Sequence, residues 1–171
     1  METRKRIIII GGSAAGPKAA AKARRIDQKA EIIILQKGPD LSMASCGYPY
    51  YIGGFFDNRN MLLGTASGVA RNSQFFHIAK RIDARVCTEV TEIKRGEKKV
   101  HFRNTETGDT DSLSYDKLII ATGSLPKMPP VPGINLEGIT PLQSMKDVDF
   151  LRRIRDEKKV KKAVVVGGGL I

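Results

Sequence analysis

The chain has 171 residues, 41% of them hydrophobic, which is enough for one ordinary domain with a sizeable core and too apolar for a disordered chain. Its net charge of +11 favours polyanionic partners, whether nucleic acid, a membrane surface or a phosphate-rich cofactor. Aromatic residues are only 6% and no RNP-like or zinc-ligand pattern is present, so no nucleic-acid partner is expected.

The basic start Arg4-Lys5-Arg6 leads into the short apolar run Ile7 to Ile10 before glycines intervene. A bilayer span or a signal peptide needs a longer run, so no membrane segment is expected and the protein is placed in the cytoplasm. Arg6 to Ile10 reads as a β-branched strand ending in Gly11-Gly12-Ser13-Ala14-Ala15-Gly16. Pro17 then opens an Ala/Lys/Arg-rich helix reaching Arg25, because a first helical turn has no use for the N–H that proline lacks. Glu31 to Gln36 is a second strand, and the right-handed crossover rule makes the two parallel, as in the first half of a doubly wound α/β sheet.

The loop beyond that strand contains Cys46, with a helical turn behind it, and a further helix runs from a cap at Asn72 or Ser73 to about Lys80. The period then changes to two. Ala84 to Ile93, Lys98 to Arg103 and Ser112 to Ala121 alternate or run apolar, separated by Arg95-Gly96-Glu97 and Thr107-Gly108-Asp109 turns, which predicts an antiparallel meander inserted into the parallel sheet. Pro126, Pro129, Pro130 and Pro132 mark a linker, and Ser144-Met145-Lys146-Asp147 has the spacing of a capping box that starts a helix ending near Lys159. The final Ala163-Val164-Val165-Val166-Gly167-Gly168-Gly169 echoes the opening strand and its glycines, as two dinucleotide-binding domains in tandem would.

A dinucleotide pyrophosphate needs a tight turn off a strand, close backbone approach and a helix N-terminus with free N–H groups. Gly11 and Gly16 fill the first and third glycine positions of G-x-G-x-x-G, while Ser13 stands at the middle one. A plain strand-to-helix turn fits the same residues, but their placement between a strand and a proline-started helix favours the nucleotide. Gln36 closes the second strand where a carboxylate ordinarily accepts from ribose hydroxyls, and its oxygen can still accept without the charge.

Two cysteines in a chain with no export signal argue against a disulfide scaffold. Cys87 is expected to be a small buried strand residue. Cys46 stands in Ser42-Met43-Ala44-Ser45-Cys46-Gly47-Tyr48-Pro49-Tyr50-Tyr51-Ile52-Gly53, where a following helix and surplus cations favour the reactive thiolate.

With the glycine loop, this cysteine segment, Tyr115-Asp116-Lys117-Leu118-Ile119-Ile120-Ala121-Thr122-Gly123-Ser124 and the second glycine loop in that order, the sequence resembles the pyridine nucleotide-disulfide oxidoreductases. Within them it is similar to the single-cysteine branch of coenzyme A-disulfide reductases, NADH oxidases and peroxidases, and persulfide reductases. The resemblance implies the N-terminal part of a Rossmann-like FAD-binding domain over residues 1–124, a linker and helix over 125–161, and the first strand and partial glycine loop of a truncated NAD(P)-binding domain over 162–171. It implies a relay in which NAD(P)H reduces FAD and the flavin reduces a disulfide or persulfide formed on Cys46, which has no neighbouring resolving thiol.

By the same resemblance, FAD is held by Gly11, Ala14, Ala15 and Gly16 at the pyrophosphate, Gln36 and Lys37 near the ribose, Val90 near the adenine, and Ala121, Thr122 and Gly123. A coenzyme A substrate is met by Lys18, Lys22, Arg25, Ser42, Ser45 and Lys80, although the three cations of the first helix equally suit a solvated face. Gly167, Gly168 and Gly169 begin the NAD(P) site, and no metal is implied. The full-length parent is expected to be a homodimer. Ser45 and Gln36 depart from the Asn and Glu of many relatives, and the chain is expected to be a fragment that does not turn over by itself. The alternatives are an oxidase or peroxidase cycling through a Cys46 sulfenate and, from a different class, a non-catalytic nucleotide-binding module.

Overall fold

The computed structural model describes residues 4–158 and 160–167. The chain forms two compact units, one of residues 1–44 and 59–124, the other of 45–58 and 125–171.

The first unit is built on four β-branched strands, β1 (Arg6–Ile10), β2 (Glu31–Leu35), β3 (Asp83–Arg85) and β7 (Lys117–Ile120), in a parallel sheet of order β3-β2-β1-β7. Both faces of the central strands are covered, which is why their sequences run apolar instead of alternating. Ile9, Ile32 and Ile34 face helices α1 (Ala15–Ile26) and α3 (Ser73–Lys80) through Ala20 and Phe76. Ile8, Ile10, Ile33 and Leu35 face a second, antiparallel sheet through Val100 and Phe102. That sheet is the meander β4 (Thr88–Lys94), β5 (Lys99–Asn104) and β6 (Thr110–Ser114), in that order.

Two strands expected as single runs are each split between the sheets. Ala84 to Ile93 breaks at Cys87, whose φ of +50° turns the chain out of β3 and into β4, so Cys87 is buried as expected but lies at a junction and not in a strand. Ser112 to Ala121 breaks between β6 and β7, where Asp116 N–H donates to Arg6 O at 2.9 Å and Asp116 Oδ2 accepts from Arg6 N–H at 2.7 Å. Apolar residues continue across both breaks: Leu113, Tyr115 and Leu118 pack on one cluster across the second, whereas across the first Ala84 and Val86 pack on the helix-side cluster and Val90 and Ile93 on the one between the sheets.

In α1, Gly16, Ala20 and Arg24 recur four residues apart on the buried side, leaving Lys18, Lys22 and Arg25 exposed. The helix begins two residues before Pro17, which still sits in the first turn. Arg24 is 8% exposed, and its guanidinium donates to the carbonyls of Lys80, Arg81, Asp27, Gln28 and Ala30 at 2.6 to 3.3 Å. It thus ties the carboxyl end of α3 to the end of α1 and to the loop between α1 and β2. Burial, then the nearby Arg81, lowers its pKa from an ordinary arginine value. Asn72 caps α3 by accepting from Phe75 N–H at 2.9 Å.

The second unit contains a 3₁₀ turn, Ser45–Gly47, running into α2 (Tyr48–Gly53), and α4 (Met145–Glu157). The expected capping box is present, Ser144 N–H donating to Asp147 Oδ2 at 2.7 Å while Asp147 N–H donates to Ser144 Oγ at 3.4 Å. Burial alone raises the Asp147 pKa, but its bonds from the Ser144 and Gln143 backbones and from the Ser144 and Thr140 hydroxyls hold it below the ordinary value. The helix ends at Glu157, and Lys159 lies outside the described residues. Leu125 to Gly138 forms only turns and irregular chain, as the prolines require.

The strand expected over residues 162–166 is not formed. Val164, Val165 and Val166 are 80%, 86% and 92% exposed, and no strand among the described residues lies beside them to complete a ladder. Among the described residues, no helix is long and apolar enough to cross a membrane.

Arg24→Ala removes the donor shared by carbonyls at the ends of α1 and α3 and in the loop before β2. It is expected to cost about 2–4 kcal/mol in urea unfolding, with Arg24→Lys recovering only part, since an ammonium cannot span the same carbonyls. A loss below about 0.5 kcal/mol would show that water replaces the guanidinium at those carbonyls.

Candidate functional site

The ends of β1, β2 and β7 converge at the carboxyl edge of the parallel sheet, where nucleotides bind in open α/β folds. Gly11 follows β1 with φ of +106°, and its N–H donates to Leu35 O at 2.8 Å. A Cβ at Gly11 would overlap the Ala121 carbonyl, and one at Gly16 would overlap the Gly11 carbonyl. Both glycines are therefore fixed by backbones passing within a side chain's width of each other.

Gly12 was not singled out from the sequence but is also confined, by side chains where Gly11 and Gly16 meet backbone. A Cβ there would lie 2.6 Å from Leu41 Cδ2 and 2.9 Å from Gln36 Cβ. Its N–H donates to Gln36 Oε1 at 2.7 Å, and its carbonyl accepts from Ser42 N–H at 2.8 Å. Gln36 thus uses its side-chain oxygen to hold the glycine loop. The signal in the sequence was the unbroken Gly11-Gly12 pair, which the three-glycine pattern does not require.

No side chain caps α1 and no acidic residue stands in its first turn. Ala14 and Ala15 are exposed at that start, as are Thr122 and Gly123 beyond β7, while Ala121 N–H is engaged by Ile10 O at 2.8 Å. This edge therefore pairs an uncapped helix N-terminus with a cradle that any Cβ would fill, and it fits a pyrophosphate. Lys37 turns instead to β4, pairing with Glu89 at 2.7 Å, and Arg103 reaches the same carboxylate at 2.9 Å. Hydrogen bonds from Lys37, then Arg103, hold the Glu89 pKa below its ordinary value. Val90 is half-buried in β4 and packs against the second apolar cluster.

Lys18, Lys22 and Arg25 are exposed on one face of α1, and no ion-pair partner stands against any of them among the described residues. Lys80 is exposed at the end of α3, close to this helix's carboxyl end, because its carbonyl accepts from Arg24 Nε at 3.3 Å. Ser42 has φ of +53° and is tied to the glycine loop. Ser45 and Cys46 lie in the second unit, both exposed in the 3₁₀ turn ahead of α2. Gly167 is exposed with φ of +110°, and Gly168 and Gly169 lie outside the described residues.

The two cysteines are free and differ sharply in setting. Cys87 is 7% exposed and its Sγ donates to Glu106 Oε1 at 3.2 Å, so burial, then Glu106, raises the thiol's pKa. Among the described residues, no group of His, Cys, Asp and Glu could hold a metal. A shallow depression of about 540 Å³ in the second unit is lined by Tyr51, Asp149, Arg152, Arg153, Asp156 and Glu157, and contains none of the candidate cofactor, substrate or catalytic residues.

Residues 5–171 match the family described as pyridine nucleotide-disulphide oxidoreductase, and the chain belongs to it. It is 34% identical over 167 residues to the coenzyme A disulfide reductase of Staphylococcus haemolyticus, covering 98% of this chain and 36% of that protein. It is 30% identical over 174 residues to the NADH oxidase of Enterococcus faecalis, covering 97% of this chain and 35% of that one. The solved NAD-dependent persulfide reductase of A. fulgidus superposes with a TM-score of 0.85 at 38% identity, over 89% of this chain and 28% of that chain. The chain thus spans about a third of the length of these relatives.

Thiol-specific labelling tests the contrast between the cysteines. At pH 8, iodoacetamide should alkylate Cys46 at least ~10-fold faster than Cys87, because Cys87 is both inaccessible and weakly ionised. Raising the pH through 9 should increase the Cys87 rate proportionately more. Equal rates at pH 8 by peptide mass analysis would show that the Cys87 junction opens freely.

Proposed function

We propose that the protein carrying this chain is an FAD- and NAD(P)H-dependent oxidoreductase of the coenzyme A-disulfide reductase type, with Cys46 as its single redox cysteine. The observation that carries the reading is the uncapped, glycine-lined edge of the first unit, in a family member whose chain also carries an exposed free cysteine, Cys46. The FAD pyrophosphate is assigned to the backbone of Gly11, Ala14, Ala15 and Gly16, and the flavin side to Ala121, Thr122 and Gly123. Gln36 offers the ribose its amide NH₂, since its oxygen is engaged by Gly12. Lys37 and Val90 line the adenosine side, and Gly167, Gly168 and Gly169 begin the NAD(P) site.

The Cys46 thiolate attacks one sulfur of a disulfide R–S–S–R, forming a Cys46 mixed disulfide and releasing the first thiolate, which takes a proton from water. FAD, when bound, supplies the electron pair, received from NAD(P)H, that splits this mixed disulfide. Cys46 leaves that step as a thiolate and the second R–SH departs, so two electrons and two protons give two thiols. Lys18, Lys22 and Arg25, with Lys80, Ser42 and Ser45, are assigned to the phosphates and polar groups of a coenzyme A substrate. The same reading expects a cytoplasmic homodimer. The relative that is an NADH oxidase supports a second outcome, in which Cys46 cycles through a sulfenate and water is the product.

Cys46→Ser in the protein carrying this chain should abolish disulfide reduction while leaving the flavin absorbance and its bleaching by NAD(P)H unchanged. Full disulfide reduction by that variant would remove the thiol from the mechanism, and purified protein that takes up no flavin would remove the relay.

Lys22→Ala with Arg25→Ala should raise KM for coenzyme A disulfide about 10-fold or more, as expected for charge-assisted contacts worth about 1.5–3 kcal/mol, with little change for a small uncharged disulfide. Added salt should narrow the difference. Equal effects on both substrates, or none on either, would leave this face of α1 solvated and favour the oxidase outcome.

A further inference from the structure

α2 has six residues, and an isolated helix shorter than about 12–15 residues is marginal in water because its nucleation is not recovered. It must be held by tertiary contacts, and within its unit α2 packs on α4. Arg152 Nη1 donates to Tyr51 O at 2.7 Å and to Phe56 O at 3.2 Å, while Nε pairs with Asp156 at 2.8 Å and Nη2 with Asp57. Its guanidinium lies 5.0 Å from the centroid of the Tyr51 ring, and the side chain is 13% exposed. Three residues on, Arg155 Nη1 donates to Ile52 O at 2.7 Å. Two arginines of one helix thus hold the last carbonyls of another, where the helix dipole favours cations.

Gly54 completes the arrangement. It caps α2 at φ of +85°, with its N–H donating to the Tyr50 and Tyr51 carbonyls, and a Cβ there would overlap the Arg155 guanidinium. Upstream, Gly47 has helical φ and ψ of −83° and −11°, so the Ser45–Gly47 turn runs without a break into α2.

We propose that Arg152 and Arg155 are positioning residues for Cys46: α4 fixes α2, and α2 fixes the turn that carries the thiol. The catalytic consequence rests on the relay proposed above, whereas the positioning itself does not.

The test uses Arg152→Met, Arg155→Met and Arg152→Lys in the protein carrying this chain. Arg152→Met should speed amide exchange across residues 48–56 at least tenfold and leave α3, in the other unit, unchanged. The rate constant of Cys46 with 4,4′-dithiodipyridine, read on its own peptide, should change at least threefold and with an altered pH profile. Disulfide-reduction kcat should fall about tenfold, with flavin reduction by NAD(P)H within twofold of wild type, Arg155→Met showing a smaller change in the same direction and Arg152→Lys restoring part. Should Arg152→Met not fold, Arg155→Met and Arg152→Lys carry the comparison. Unchanged exchange over 48–56, or a loosened segment with wild-type Cys46 reactivity and kcat, would overturn the proposal. Failure of the relay shows separately, as disulfide reduction retained by Cys46→Ser, and the exchange and labelling results judge the positioning role in either case.

Discussion

The first unit depends on a single steric constraint: three backbones pass so close together at the end of β1 that neither Gly11 nor Gly16 has room for a Cβ. Ala121 reaches Gly11 because β7 pairs with β1, and Gly16 reaches Gly11 because α1 turns back onto the sheet at once. That tight return aligns the start of α1 with the strand ends and leaves its amides uncapped. The glycine-lined edge is thus a by-product of how closely helix and sheet pack, and Gln36 and Ser42 brace it from the side of β2.

The arginines of this basic chain serve two different purposes. Arg24, Arg152 and Arg155 turn inward and donate to backbone carbonyls at or just beyond helix ends. Arg152 and Arg155 are also paired with carboxylates, Arg152 with Asp57 and Asp156 and Arg155 with Asp156, whereas Arg24 is held, among the described residues, by carbonyls alone. Arg25, next to Arg24 in sequence, points with Lys18 and Lys22 into solvent. The positive charge available to a polyanionic ligand is therefore smaller than the composition suggests, and Lys18, Lys22 and Arg25 present part of it together on one face of α1.

Much of this was legible in the sequence because the signals were local. Strand β1, the start of α1, β2, the Asn72 cap and the Ser144 capping box follow from residue type and period alone. The breaks at Cys87 and Asp116 were not legible, since apolar residues recur whether a chain stays on one core, as at Asp116, or passes from one cluster to another, as at Cys87, and a cysteine at positive φ carries no compositional mark. Val164 to Val166 have strand composition without a strand, because a ladder needs a neighbour that composition cannot supply. Of the candidate site, the glycine edge was readable. The bond from Gly12 to Gln36 was not, as it depends on which way one side chain turns, nor was the grip of α4 on α2, which joins residues about a hundred positions apart. The inward turn of Arg24 was readable in principle from its phase with Gly16 and Ala20.

The route of the meander imposes a rule of parity. The chain leaves β3 beside Gln36 at the carboxyl edge of the parallel sheet, where Thr88 N–H donates to Gln36 O at 2.8 Å, and must begin β7 at the opposite edge, beside Arg6. An antiparallel meander makes a net one-way traverse only if its number of strands is odd. The three strands here do the work that a single helix does in an ordinary parallel crossover. Gain or loss of a whole hairpin would preserve the direction of β7, whereas gain or loss of one strand would deliver the chain to the wrong end of the sheet. Length variation in this crossover should therefore come in pairs of strands or be confined to the turns.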